Sequence, residues 1–211
     1  MAQMNRRDMN RRIEAFFSDL APTWDEESAL PFAERLATMV DALGIAPGQT
    51  ILDVGAGTGV LARELAGRVA PGGRVVAVDL ARGMVRDGKA RCPDLHIAWI
   101  QADVLDAPFM RGAFDWVICY SVFPHFLDQQ HAVTELAALL KPGGSFAVLH
   151  SQSREAINEF HQNMGGIVGG HVLPDDPGMA HLLRNAGLQL QRLENSDDGF
   201  VALAQSPARQ A

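Results

Sequence analysis

The stretch 50-TILDVGAGTGVLARELAGRV-69 constrains the fold more than any other part of the chain. A β-type run (Ile51, Leu52, Val54) meets three glycines, and an amphipathic helix follows. Glycine at such a turn permits backbone conformations closed to other residues and lets a ligand approach the main chain. The strand–helix alternation then repeats. 74-RVVAVDL-80 reads as a buried strand, 82-RGMVRDGKARC-92 as a helix and 95-LHIAWIQAD-103 as a strand with its exit. 114-FDWVICY-120 is a strand, 129-QQHAVTELAALL-140 a helix, and 141-KPGG-144 turns the chain into a fifth strand, 145-SFAVLH-150. Strands that alternate with helices imply a parallel sheet covered on both faces. The end differs. After a short helix, 178-GMAHLLRNAG-187, two runs (188–195 and 199–205) are separated by a turn so short that they must pair antiparallel. The expectation is an α/β chain with a seven-stranded, mostly parallel sheet, an antiparallel last strand and helices on both faces.

The first 45 residues read as helix, with Ile13, Phe16, Phe17 and Leu20 at helical spacing. Pro22 interrupts, and a second helix is predicted from about Pro31 to Leu43, ending at Gly44. This predicts an N-terminal helical cover over 1–45 and a main domain over 46–211. Residues 151–173 do not fit the alternation and form an insertion between the fifth strand and its helix. The formal charge of -7 over 211 residues gives no general attraction to nucleic acid. Arg6, Arg7, Arg11 and Arg12 read as a solvated helix face. Cys92 and Cys119 make neither a disulfide framework nor a CxxC zinc site. The N-terminus has no continuous apolar segment of the secretory type, and no apolar run approaches the ~20 residues that span a bilayer. A cytoplasmic monomer or homodimer with no membrane or nucleic-acid partner is expected.

The glycine loop is not the dinucleotide fingerprint, because GxGxxG would need glycine where Val60 stands. The form present is DxGxGxG, made by Asp53, Gly55, Gly57 and Gly59. An acid at Asp53 either fixes the loop or holds a ligand ammonium group through water. The second strand ends in Asp79, placed to accept both hydroxyls of a ribose. In "QADV", Asp103 is placed to take an exocyclic amino proton of adenine, with the backbone of Val104 reading the ring edge. Together these describe a nucleoside pocket at the carboxyl ends of the first three strands.

At this point the chain resembles the class I S-adenosylmethionine-dependent methyltransferases, whose fold is Rossmann-like. The resemblance covers roughly residues 45–205 and rests on "ILDVGAGTG", "VVAVD", "QADV", "FDWVICYSVFPHF", "LKPGG" and the closing strand pair. More narrowly, 16-FFSDLAPTWDE-26 is similar to the leader of the quinone-methylating branch, with Trp24 where that group typically carries Tyr. The resemblance implies S-adenosylmethionine as cofactor and S-adenosylhomocysteine as product. It implies that Gly55, Gly57 and Gly59 line the methionine part and that Trp24 lies over the cofactor. Asp79 and the adjoining Leu80 would stand at the ribose, Asp103 and Val104 at adenine, and Cys119 and Tyr120 near the methionyl end.

Methyl transfer asks the protein to align the nucleophile, exclude water and remove a proton. Ligands in open α/β sheets lie beyond the carboxyl ends of the strands. His125 follows strand four, His150 ends strand five, and His161 lies on a helix that Ser153 would cap. These three are the candidate catalytic residues on the acceptor side, and His171 joins them if the insertion folds back. A histidine titrates near neutrality and suits a general base. Two or three neutral imidazoles could instead hold a divalent metal, although the sharper HxxxH pattern is absent. His131 and His181 read as surface residues and His96 as structural. "MGGIVGG" reads either as a plain loop or as a mobile lid. Phe16, Phe17 and Trp24 would give the pocket an apolar wall. The sequence predicts methylation of a small molecule. The alternatives are a metal-assisted variant, aminopropyl transfer from the decarboxylated cofactor, and a non-catalytic module that binds the cofactor.

Overall fold

In a computed structural model, residues 6–26, 32–93 and 97–208 are described. The expected start of the second helix at Pro31, and His96, lie outside the described residues. The described residues build a seven-stranded sheet: β1 Thr50–Val54, β2 Arg74–Asp79, β3 Ile97–Gln101, β4 Phe114–Tyr120, β5 Leu140–His150, β6 Gln189–Ser196 and β7 Gly199–Gln205. Their spatial order is β3-β2-β1-β4-β5-β7-β6. The first five are parallel, and β7 runs antiparallel to both β5 and β6. The order reverses between β1 and β4, and a crevice for ligands opens at such a switch point.

Alternation along the central strands supplies two apolar faces, as a doubly covered parallel sheet requires. Leu52, Val54, Val117, Cys119, Phe146 and Val148 pack on one side, with Val133 and Leu136 of α5 (Gln129–Ala137) and Met179 and Leu183 of α7 (Asp176–Asn185). Ile51, Trp116, Ile118, Ala147 and Leu149 pack on the other, with Leu61 and Leu65 of α3 (Val60–Val69). Leu36 and Val40 of α2 (Ala33–Asp41) belong to this second core. α1 (Arg6–Leu20) packs on α4 (Arg82–Arg91), where Gly83 lies so close to Ser18 that no Cβ would fit.

The caps follow local chemistry. Asp128, Ser153 and Asp175 each accept a backbone N–H in the first turn of α5, α6 (Arg154–Met164) and α7. Asp175, with Pro177 in the first turn, starts α7 ahead of the expected Gly178. The predicted KPGG turn is instead drawn into β5, whose pairing with β4 shifts register between Phe114 and Trp116. Gly143 takes φ +77° there, and its N–H donates to the Ser206 carbonyl. None of the described helices is long and apolar enough to cross a membrane.

Candidate active site

The glycine loop leaves β1 at the switch point, and its glycines do three different things. Gly55, Gly57 and Gly59 all have φ between +55° and +87°. A Cβ on Gly55 would lie 2.2 Å from Val122, and one on Gly59 would lie 2.5 Å from Trp99. Gly57 alone faces open space, with Met84 Sδ and Trp24 Nε1 3.9 Å from its would-be Cβ. Gly59 therefore serves packing against Trp99 rather than the lining of the cleft.

Asp53 is 1% exposed, and its Oδ2 has no hydrogen-bond partner. Burial, then the neighbouring Asp79, raise its pKa from 3.8 to about 8, against a hydrogen bond with the Ala62 backbone in the first turn of α3. The cleft beside Asp53 is lined by Trp24, Gly57, Thr58, Met84, Tyr120 and Ser121. Asp79 accepts the Gly57 N–H on Oδ2 (2.8 Å) and the Ala81 N–H on Oδ1 (2.7 Å). Burial outweighs these bonds and raises its pKa to about 6. The cleft continues past Asp79, Leu80, Asp103 and Val104, closed by Asn10 and Ile13 of α1.

Asp103 is engaged from an unexpected side. Its Oδ2 accepts from Arg6 (2.6 Å) and Asn10 (2.7 Å), and its Oδ1 accepts the Leu105 N–H (3.0 Å). Cys119 is fully buried between β1 and β5 and lines none of these cavities; burial, then Asp53, raise its thiol pKa. Tyr120 does reach the cleft, and its hydroxyl pairs with Ser151 Oγ at 2.8 Å. Trp24 stands at the cleft, and the next residue anchors its segment: Asp25 pairs with Arg91 (2.8 Å) and Thr58.

The strand-four exit joins this cleft to a second pocket. Ser121 holds φ +55°, a conformation that costs on the order of 1–3 kcal/mol and clusters at functional sites. Ser121, Trp24, Phe17 and His125 line both spaces. The second pocket encloses about 220 Å³, walled by Phe16, Phe32, Phe160, Met164 and Val168, with His150, His161 and Gln152 facing in. His125 and His161 have ring centroids 4.9 Å apart, and His125 and His171 5.1 Å apart. The four histidines thus converge. His150 is 1% exposed with neither ring nitrogen partnered; burial, then His161, lower its pKa to about 3. Burial and the three neighbouring imidazoles hold His125 well below its usual value, and burial also lowers His161 and His171. All four are neutral at pH 7. His161 Nδ1–H donates to the His171 carbonyl (2.9 Å), which leaves Nε2 as the acceptor nitrogen. His131 and His181 are exposed. Among the described residues no group of three or more His, Cys, Asp or Glu is arranged to hold a metal.

Sequence reasoning missed Arg6, Asn10, Ser121 and Gln152. Only Ser121 had a signal, its place directly after a strand that ends at the switch point.

An open sheet with its switch-point crevice behind a glycine loop defines a doubly wound α/β protein with a ligand cleft at the carboxyl ends of its strands, and comparison with known proteins narrows this. Residues 51–144 match the methyltransferase domain family. A 2-phytyl-1,4-naphtoquinone methyltransferase of Trichormus variabilis is 32% identical over 164 residues, covering 73% of this chain and 72% of its own. A demethylmenaquinone methyltransferase of Thermus thermophilus is 41% identical over 140 residues, 63% of each chain. A putative methyltransferase of Haloferax volcanii, solved with the Trm112 activator, superposes with a TM-score of 0.77 at 20% identity, over 90% of this chain and 97% of that one. The chain belongs to the class I S-adenosylmethionine-dependent methyltransferases. It is an enzyme of small-molecule methylation with S-adenosylmethionine as cofactor.

Proposed function

We propose that this enzyme methylates an apolar, quinone-like ring held in the aromatic pocket, with His125 nearest the transferred methyl. The observation that carries this reading is that Phe17 and His125 line both the cofactor cleft and the aromatic pocket. A group bound in one is therefore presented to the other. The relatives named above are a 2-phytyl-1,4-naphtoquinone methyltransferase and a demethylmenaquinone methyltransferase, which supports the same chemistry of acceptor here. The enclosed 220 Å³ lies below the ~300 Å³ at which pockets begin to hold a drug-sized ligand. A ring system fits, and a longer tail leaves through the mouth beside the exposed Phe160 and Met164.

The residues present fit the cofactor. The orphaned Oδ2 of Asp53 suits its ammonium group, and the open face of Gly57 leaves room for its amino-acid chain. Each Asp79 oxygen spends one lone pair on a backbone N–H and keeps another for a ribose hydroxyl. Trp24 and Leu80 border the methionyl and ribose ends, and Val104 the adenine end. Asp103 reads adenine once Arg6 and Asn10 release it. When bound, S-adenosylmethionine supplies an activated methyl on a sulfonium. The protein's part is alignment and proton removal. The aromatic walls exclude water and hold the ring in line, a proximity effect that lowers the barrier without covalent chemistry. Neutral His125 accepts the acceptor's proton at Nε2. His150 and His161 offer bare ring nitrogens that accept from the hydroxyl groups of the reduced ring.

Binding tests the pocket apart from turnover. Titration with oxidised 1,4-naphthoquinone is expected to quench tryptophan fluorescence with a saturable curve. Trp24→Phe should remove most of the quench, because Trp24 alone of the three tryptophans lines the pocket: Trp99 packs against Gly59 and Gly88, and Trp116 is buried in the core. A quench unchanged in Trp24→Phe, or absent in the wild type, would contradict the assignment.

A further inference from the structure

The wall behind the aromatic pocket is made of two imidazoles. His125 lines the inner cavities. His171 lines none of them and faces a separate outward cleft beside Pro124, Leu127 and Gln129. Between the two spaces, Nδ1 of His125 and Nδ1 of His171 lie 2.8 Å apart. That is the spacing of one shared N–H, shorter than the ~3.3 Å that two nitrogens keep on one tetrahedral zinc. We propose that His125 and His171 form a proton relay through this wall, carrying the proton released by methylation from the inner end of the aromatic pocket to solvent. The inference rests on the proposed acceptor pocket.

The segment that carries His171 is held from several sides. Its carbonyl accepts from His161 Nδ1–H, and its N–H donates to the Val168 carbonyl (2.9 Å). Gln129 Nε2 donates to the next carbonyl, that of Val172 (2.9 Å). Leu173 exchanges two bonds with the Asn158 amide, at 2.7 and 3.1 Å. These bonds fix the backbone on both sides of His171, so the ring is presented to His125 by design of the insertion.

A relay answers a physical need. Replacing an acceptor hydrogen by methyl from a sulfonium releases one proton. An imidazolium left among three imidazoles and aromatic walls is poorly solvated and repelled by any neighbour that also charges. In the starting state His125 donates Nδ1–H to His171 Nδ1, His125 Nε2 is bare, and His171 carries its proton on Nε2. As the acceptor attacks the methyl carbon, the S–C electron pair stays on sulfur and the acceptor's proton passes to His125 Nε2. The shared proton moves onto His171 Nδ1, and His171 releases its Nε2 proton to the outer cleft. Once product leaves, a solvent proton adds to His171 Nε2 and the shared proton returns to His125 Nδ1. Water in the opened pocket then takes the Nε2 proton of the His125 imidazolium. The net result is one proton delivered to water. His171 does not touch the acceptor and is a positioning and relay residue.

The experiment has two arms on the full-length protein. In the first, the ¹⁵N-histidine NMR spectrum of the ligand-free protein should show coupling between the two Nδ1 nuclei. His171→Ala should move the His125 resonances toward a mixed-tautomer pattern. Absence of coupling together with unmoved His125 signals overturns the relay whatever the acceptor is. In the second, His171→Ala and His171→Gln are assayed with S-adenosylmethionine and reduced 1,4-naphthoquinone. kcat should fall on the order of 10- to 100-fold in both, the lower part of the range for acid–base groups. KM and S-adenosylhomocysteine affinity should stay within about twofold of wild type. Added imidazole should restore His171→Ala in a concentration-dependent way. Glutamine accepts the Nδ1–H but carries no proton onward, so wild-type kcat in His171→Gln would reduce His171 to orientation alone and overturn the relay. Unchanged kcat in both variants overturns it as well. A wild type inactive on the naphthoquinol refutes the acceptor reading, and the NMR arm then decides the relay by itself.

Discussion

Asp53→Asn separates the cost of a buried carboxyl from its use. The folded-state pKa of Asp53 is raised from 3.8 to about 8, so its contribution to stability is greatest while it is protonated and is lost as pH rises toward 8. Asp79, raised to about 6, is mostly ionised by pH 7. The depressed histidines act with the opposite sign, since the unfolded chain takes up their protons as pH falls through 6.5. The buried thiols enter only near and above their ordinary value of 9. The histidines are common to the wild type and the Asn variant, so the difference between the two pH profiles reports Asp53. One proton is worth ~1.4 kcal/mol per pH unit, so relative to Asp53→Asn the ligand-free wild type should lose roughly 2 kcal/mol between pH 6.5 and 8. For a chain of this size that is a relative fall of ~4–8 °C in Tm. The same change removes a charge-assisted partner for the cofactor, so S-adenosylhomocysteine affinity should drop at least about tenfold. Thermal melts at several pH values and titration calorimetry measure both. Calorimetry in buffers of different ionisation enthalpy should also show the wild type, and not Asp53→Asn, releasing a proton from this site on binding at pH 7. An Asn variant that keeps the wild-type slope would refute the reasoning.

Three other changes probe separate parts of the site. His150→Leu removes two buried, unpartnered nitrogens, so chemical denaturation should show unchanged or higher stability, by ~1–3 kcal/mol, while acceptor turnover falls. Gly57→Val puts a branched side chain at φ +55° and into the space before Trp24 and Met84, so calorimetry should find cofactor binding weakened at least tenfold. Arg6→Ala combined with Asn10→Ala frees Asp103 Oδ2, and cofactor affinity should rise; a fall would mean that α1 contributes contacts rather than competition.

The architecture was legible because its signals are local. The alternation of 114-FDWVICY-120 and the helix of 60–69 have the bounds read from their patterns. KPGG misled because glycine and proline also mark irregular strand pairing. The histidines at the exits of β4 and β5 were legible from position, since strand ends at a switch point share one crevice. Their pairing was not, because it depends on how the insertion folds back over the sheet. The hold of Arg6 and Asn10 on Asp103 spans 97 and 93 residues and leaves no periodic trace. Cys119 shows the opposite failure. Its register beside Val54 and Val148 makes it a core residue, and period-two alternation from Val117 points the same way.

In the proposed reaction, a methyl held in the cleft behind the glycine loop is delivered into the aromatic, histidine-lined pocket. The most direct measurement is transfer of a ¹³C-methyl from S-adenosylmethionine to reduced 1,4-naphthoquinone under anaerobic conditions, followed by NMR and mass analysis of the product. Labelled methyl on the naphthoquinol, S-adenosylhomocysteine in equal amount, and loss of both in His125→Ala with cofactor binding intact are expected. Tight cofactor binding with no label on the acceptor, or full transfer by His125→Ala, would contradict the proposed reaction.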